Sequence, residues 1–217
     1  MISKIFQHFK TITYHKYLVM KGCFSIGLYW QGICHDLSKY SPTEFWVGVR
    51  FYQGDRSPNN AEREDKGYSA SWLHHKGRNK HHYEYWIDYS IKEIKGGMAP
   101  APMPVKYILE MMMDRIAASK VYAKEHYSRH NPLRYYMGGR EDAPLHEKTK
   151  KILELLLLIL DKYGEDEMTY FINKKVIPYR KYWDHPVKWK KAVLHFEKKY
   201  GVDITKVEQV TDWKHTI

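Results

Sequence analysis

The chain has 217 residues, of which 43% are hydrophobic and 28% are charged, so it can form a packed core, and the disordered and collagen-like classes are excluded. Its 36 lysines and arginines exceed its 25 aspartates and glutamates by 11, which indicates an anionic partner without identifying it. The longest aliphatic run, Leu155 to Leu160, is far shorter than the ~20 residues that span a bilayer.

Two cysteines, Cys23 and Cys34, are too few for a disulfide framework, which favours a reducing compartment. Charged residues interrupt every apolar stretch near the N-terminus, so no signal peptide is predicted. The sequence therefore predicts a cytoplasmic protein without a membrane partner.

The first hundred residues are typical of helices joined by polar segments. Ser41-Pro42-Thr43-Glu44 forms a capping box, which predicts a helix over about 42–52. Residues 54–67 are polar and predict a surface loop. A short helix is expected over about 68–75, ending near Gly77, and a further helix over about 80–94, capped by Asn79.

The second half also predicts helices, which follow Pro104 (to about residue 125) and Pro144 and continue over 165–175 and 186–200. Only Val202–Trp213 alternates weakly, like a strand. The predicted fold is all-α: a compact helical bundle over residues 1–175, followed by a basic, mainly helical extension over 176–217.

The chain also has 13 histidines, and many lie beside other metal-capable side chains. Imidazole and carboxylate ligands suit Mn, Fe, Co, Ni or Zn, and the lack of paired cysteines excludes thiolate zinc. The candidate positions are His15, His35-Asp36, His74-His75, His81-His82 and Asp114.

These positions can share an ion only if the chain turns back between them. In one straight helix His15 and His35 would lie ~30 Å apart, but Gly22, Gly27 and Gly32 permit a turn. His75 and His82 would lie ~10 Å apart on an unbroken helix. His35 and Asp36 are adjacent, so on a helix they would point ~100° apart, which suits an imidazole on one ion and a carboxylate bridging to a second.

The ordered set of His15, His35-Asp36-Leu37-Ser38-Lys39, the distal histidines and Asp114 resembles the HD-domain superfamily of metal-dependent phosphohydrolases. The resemblance covers about residues 10–125 and implies an all-helical fold. It implies that His15, His35, Asp36 and Asp114 hold one divalent transition metal. The extra histidines imply a second ion, with His75 and His82 as its ligands. His74 and His81 are alternatives that would lie outside the ligands or face the phosphate.

The implied reaction is hydrolysis of a phosphate ester in a nucleotide or another small phosphorylated molecule by a metal-activated water. Asp36 and Lys39 are the candidate catalytic residues, because Lys39 lies one helical turn from Asp36. Lys76, Arg78 and Lys80 are the candidate substrate-binding residues, because they lie between the histidine pairs.

Two other functions remain open. A few HD-type proteins resemble this ligand set but are di-iron oxygenases acting on organic substrates. The net charge and the C-terminal lysines also fit a nucleic-acid-binding module, which ranks last because the sequence has no recognisable nucleic-acid-binding motif.

Overall fold

The computed structural model of the chain describes residues 2–91, 96–185, 187–201 and 203. Over this part of the chain the predicted all-α class is confirmed: helices dominate, and the only strands form one two-stranded sheet. Among the described residues, no helix combines the length and the apolarity needed to cross a membrane.

The chain forms two compact units. The first contains residues 1–85 and 113–127, and the second contains residues 86–112 and 128–217. Neither unit begins or ends at residue 175. The predicted boundary between residues 175 and 176 stays a prediction.

In the first unit, α1 and α2 form a helical hairpin. The chain reverses at Gly27, whose φ of 72° lies in the left-handed region that glycine adopts without strain. Gly32 on α2 packs directly against α1, since a Cβ atom at this position would lie 3.1 Å from the Cα of Met20. The hairpin supplies the turn that a site shared by His15 and His35 requires. The helices of this unit are α1 (Ile2–Ser25), α2 (Tyr29–Cys34), α3 (Pro42–Arg50), α4 (Pro58–Lys66), α5 (Ala70–Lys76) and the end of α6 (Val105–Ala123).

The predicted loop over residues 54–67 is wrong, because α4 occupies Pro58–Lys66. Pro58 opens this helix and Gly67 closes it with a left-handed φ of 79°. Its polar composition concealed one buried acceptor: the Glu62 carboxylate, at 0% exposure, accepts hydrogen bonds from the hydroxyls of Ser69 (2.7 Å) and Ser71 (2.8 Å).

The helix predicted over about 80–94 is also wrong where the structure describes it. A 3-10 turn spans Tyr83–Trp86 and leads into strand β1 (Ile87–Tyr89), which pairs antiparallel with β2 (Met98–Pro100). The strand residues Ile87 and Tyr89 favour extended backbone. The amide of Asn79 does not cap a helix but donates to the carbonyl of His75 at 2.8 Å.

In the second unit, α8 (Glu147–Tyr163) provides much of the core. Its side chains Leu153, Leu156, Leu157 and Leu160 are fully buried. The predicted start at Pro144 falls three residues early, because His146 caps the helix by accepting the backbone N–H of Lys148 (3.1 Å). The other α-helices are α7 (Asn131–Gly138), α9 (Glu165–Phe171), α10 (Arg180–Trp183) and α11 (Trp189–Tyr200).

The C-terminal region is helical where it is described. A π-helical turn, Ile172–Val176, and a 3-10 turn, Ile177–Tyr179, connect α9 to α10. The weak strand pattern predicted over 202–213 lies outside the described residues, apart from Asp203.

Candidate metal centre

The first unit brings all the predicted metal ligands together. His15 comes from the buried face of α1, and His35 and Asp36 follow α2. His75 lies on α5, and Asp114 lies on α6. His81 and His82 follow in the segment after α5. The ligand atoms form two groups, each within 4.8 Å, which consist of His15, His35, Asp36 and Asp114 and of Asp36, His75, His81 and His82.

Asp36 belongs to both groups. Its side chain is 2% exposed, and its backbone is left-handed, with φ 53° and ψ 27°. The sequence predicted that His35 and Asp36 point ~100° apart on one helix. This prediction is wrong, because α2 ends at Cys34, before both residues. Aspartate tolerates the left-handed region better than most residues, and this kink turns the carboxylate towards both groups.

In the first group, the Asp36 atom that faces the histidines is Oδ2. It lies 3.3 Å from Nε2 of His35 and 3.8 Å from Nε2 of His15. Oδ1 of Asp114 lies 2.9 Å from Nε2 of His15 and 3.8 Å from Nε2 of His35. Two imidazole nitrogens and two carboxylates thus converge on one point.

The second group lies on the other oxygen of Asp36. Oδ1 is 3.2 Å from Nε2 of His75 and 3.4 Å from Nε2 of His81. The Nε2 atoms of His75 and His82 are 2.9 Å apart, and the ring of His82 packs edge-on against Trp72. Each carboxylate oxygen of Asp36 therefore faces a different set of imidazoles.

These separations fit metal coordination. Imidazole nitrogen and carboxylate oxygen bind Zn²⁺ at about 2.0–2.2 Å, so two ligands of one ion lie about 2.8–3.6 Å apart. The shortest separations in both groups, 2.9–3.4 Å, lie in that range. The residues present could hold two divalent transition-metal ions with Asp36 between them.

Glu44 on α3 holds two of the histidines from outside. Nδ1–H of His75 donates to Oε2 of Glu44 (2.7 Å), and Nδ1–H of His74 donates to Oε1 (2.6 Å). Burial raises the pKa of Glu44, but the hydrogen bonds from His75 and His74 outweigh burial and lower the pKa, so the carboxylate stays ionised. An ionised carboxylate can only accept hydrogen bonds, so both Nδ1 atoms must be the donors. His74 thus lies in the outer layer, one of the two roles predicted for it.

Ser38 and Asn79 complete the surroundings of His75. The hydroxyl of Ser38 lies 3.1 Å from Nδ1 of His75 and accepts a hydrogen bond from the Asn79 amide at 2.8 Å. These contacts fix the ring so that its Nε2 faces Asp36.

The carboxylates of the centre are ionised. Burial raises the pKa of Asp36, but its interactions with His35, Lys39 and His75 outweigh burial and hold the pKa well below its usual range. Burial likewise raises the pKa of Asp114, and its hydrogen bond with His15 and the charges around it more than offset this.

The pKa values of His15 and His82 are lowered, which favours the neutral imidazole ring. Burial is the main reason that the pKa of His82 falls well below its usual value, with His81 and His75 adding to it. Burial and the charge of Lys39 also lower the pKa of His15. For His75 burial lowers the pKa, but Asp36 and Glu44 raise it overall, so an ion binding there displaces a proton. Ionised carboxylates and neutral imidazoles are the forms that bind metals.

Lys39 lies against the centre, as predicted. Its Nζ is 2.6 Å from Oδ2 of Asp36, and its side chain is 29% exposed. Burial lowers the pKa of Lys39, but Asp36 and Asp114 outweigh it, so the ammonium group keeps its charge. Lys39 therefore places a partly accessible cation beside the shared carboxylate.

Two of the three predicted substrate-binding residues, Arg78 and Lys80, contact groups close to them in sequence. The guanidinium of Arg78, which is exposed, donates to the carbonyl of His74 (3.2 Å), and the ammonium of Lys80 lies 5.6 Å from the centre of the Tyr85 ring. Lys76 is half-buried at the end of α5. These contacts leave their role in substrate binding a prediction.

Sequence reasoning missed the role of Glu44, which it assigned to the capping box of α3. The Ser41 side chain makes no capping hydrogen bond, and the Glu44 carboxylate contacts the histidines instead. The sequence also ranked His81 below His82, whereas both lie in the second group. No sequence signal shows that Glu44 contacts the histidines instead of capping its helix, because these side chains meet only when α3 packs against α5.

The chain belongs to a family of unknown function, DUF5662, whose family model matches residues 4–158. All candidate ligands, as well as Lys39 and Glu44, lie within the matched region. No curated protein and no solved structure matches the chain.

Proposed function

We propose that this protein is a metal-dependent phosphohydrolase that cleaves a phosphate ester of a nucleotide or another small phosphorylated molecule. The observation that carries the proposal is the position of Asp36, whose two carboxylate oxygens face two separate sets of histidines. A carboxylate shared in this way suits a pair of ions that act on one substrate group.

His15, His35 and Asp114 would hold one ion and His75, His81 and His82 the other, with Asp36 common to both. When bound, such ions supply a water of lowered pKa and neutralise the charge of phosphoryl oxygens. The imidazole and carboxylate donors suit Mn, Fe, Co, Ni or Zn.

Lys39 fits the role of a phosphate-orienting residue. Its ammonium group stays charged beside Asp36 and is partly accessible. An ammonium at this position can donate hydrogen bonds to a phosphate oxygen and stabilise the charge that develops there. Glu44 fixes the orientation of His75, and so keeps Nε2 directed at Asp36.

Elemental analysis of protein purified without chelator, followed by a phosphate-release screen with the matching metal, tests the proposal. His35→Ala and Asp36→Ala should both lose bound metal and phosphate release while they keep the helical circular dichroism of the native chain. The matched control is His126→Ala, because the His126 side chain is 86% exposed; this variant should keep both.

Three results would contradict the proposal. Full metal content in both ligand variants would refute the site, and metal binding without phosphate release from any of a broad panel of phosphate esters would refute the reaction. Two irons with an O₂-dependent product would establish the oxygenase alternative instead, for which imidazole-rich sites are also suited.

A further inference from the structure

Helix α1 carries apolar side chains on its outward face as well as on its buried face. Ile2, Phe6, Phe9, Tyr17 and Phe24 recur at helical spacing and are 72%, 69%, 48%, 52% and 37% exposed. The opposite face buries a separate set, which consists of His8, Ile12, His15, Val19 and Cys23. The outward stripe is therefore additional to the surface that folding requires.

The stripe continues onto the segment that packs beside it. Trp30, Ile33 and Leu37 are 72%, 48% and 54% exposed. Phe24 contacts the ring of Tyr29 at 5.2 Å between centroids, and Phe9 contacts that of Tyr40 at 6.1 Å. We call this surface the aromatic face; it consists of Phe6, Phe9, Tyr17, Phe24, Tyr29, Trp30, Ile33 and Leu37. A cluster of exposed apolar side chains of this kind is typical of an interaction site.

The charge on this part of the chain has one sign. The first acidic residue of the sequence is Asp36, whereas Lys4, Lys10, Lys16 and Lys21 precede it. Lys4, Lys10 and Lys21 are exposed on α1, and Lys16 donates to the carbonyl of His35 at 2.7 Å. At 100° per residue, Lys10 and Lys21 lie beside the aromatic side chains of α1, and no acidic residue precedes Asp36.

We infer that the aromatic face binds the surface of an anionic lipid bilayer, with α1 lying along the membrane plane. Tryptophan, tyrosine and phenylalanine favour the boundary between headgroups and acyl chains, and lysines beside them bind anionic headgroups. A second copy of the chain fits less well, because it would bring two lysine-bearing surfaces of the same sign together. This inference departs from the sequence-based prediction of no membrane partner, which rested on the short aliphatic runs and not on the exposed face of α1.

Co-sedimentation with vesicles tests the inference. The full chain should bind vesicles of phosphatidylcholine mixed with phosphatidylserine, and should bind far less to phosphatidylcholine alone. Phe6→Ser/Trp30→Ser should bind the mixed vesicles at least tenfold more weakly. Tyr135→Ser, which removes an aromatic residue that is 77% exposed on α7, should bind normally.

A second pair of variants tests the charge without touching any apolar side chain. Lys10→Gln/Lys21→Gln should weaken binding by about fivefold for each lysine removed. Lys190→Gln/Lys198→Gln removes the same charge from exposed C-terminal lysines and should have a much smaller effect.

Equal binding to neutral and anionic vesicles, or equal loss in the two lysine variants, would overturn the inference. So would a sedimentation-velocity dimer that Phe6→Ser/Trp30→Ser dissociates, because the aromatic face would then pair copies of the chain. Circular dichroism establishes that each variant is folded, and the lysine variants decide the question if the aromatic variant is not.

Discussion

The carboxylate of Glu44 accepts a hydrogen bond from Nδ1 of His75 at 2.7 Å, while Nε2 of the same ring lies 3.2 Å from Oδ1 of Asp36. One imidazole thus connects α3 to the centre of the candidate metal site. Because the ionised Glu44 can only accept, it fixes the proton of His75 on Nδ1 and leaves Nε2 for the ion.

Replacing Glu44 by glutamine should weaken metal binding by about 10- to 100-fold, the usual effect of removing a hydrogen-bond partner of a ligating histidine. Competition of the protein with a chromophoric chelator for Zn²⁺ or Mn²⁺ measures this affinity. Glu64→Gln is the matched control, because Glu64 is an exposed glutamate that pairs with Arg56. Equal affinities in the two variants would show that Glu44 does not support the site.

Lys39→Gln should separate metal binding from catalysis. The substitution removes a cation 2.6 Å from Asp36 but no candidate ligand. We therefore expect undiminished metal content and phosphate release reduced by about 100-fold, as when one transition-state donor is removed. Elemental analysis and the turnover rate on the same preparation measure the two effects, and Lys120→Gln on α6 serves as the control. A variant that loses metal and activity together would assign Lys39 a structural role.

Gly48→Ala should destabilise the fold, because a Cβ atom at Gly48 would overlap the ring of His8, which is buried on α1. The expected loss is about 1–3 kcal/mol in the free energy of unfolding, measured by urea denaturation. Gly138→Ala on α7 is the control, since its Cβ would meet no atom within 4 Å. Unchanged stability in Gly48→Ala would mean that α1 and α3 do not approach this closely.

The Glu62 carboxylate should make stability fall at acid pH. Burial raises its pKa, but hydrogen bonds from Ser69, Ser71 and Lys66 outweigh this and lower the pKa from 4.5 to about 2. As the pH falls from 4.5 towards 2, the unfolded chain takes up the proton first, so the free energy of unfolding decreases by up to about 3 kcal/mol. Above pH 4.5 this contribution is constant.

Urea denaturation across that range measures the effect. Glu62→Gln should be less stable than the native chain at neutral pH and should depend less on pH between 4.5 and 2. Glu64→Gln, on the same helix and 60% exposed before substitution, should keep the native pH dependence. The attribution to Glu62 fails if both variants follow the native curve.

Sequence patterns predicted the helical class and the convergence of the candidate ligands well. Gly27 marked the reversal that brings His35 back to His15, because only a residue that accepts a positive φ suits that turn. The pattern misled where a polar side chain binds a group other than the one that its spacing suggests. Glu44 resembled part of a capping box but contacts the histidines. The polar sequence of α4 resembled a loop, although its buried Glu62 pairs with serines beyond the helix. Asn79 resembled a helix cap but binds the carbonyl of His75.

The left-handed Asp36 makes the two donor groups thermodynamically dependent on each other. An ion bound through one oxygen would change the charge and orientation that the other oxygen offers, so each ion would alter the affinity of the other by the same factor. Two ions held this way would therefore not load independently of each other.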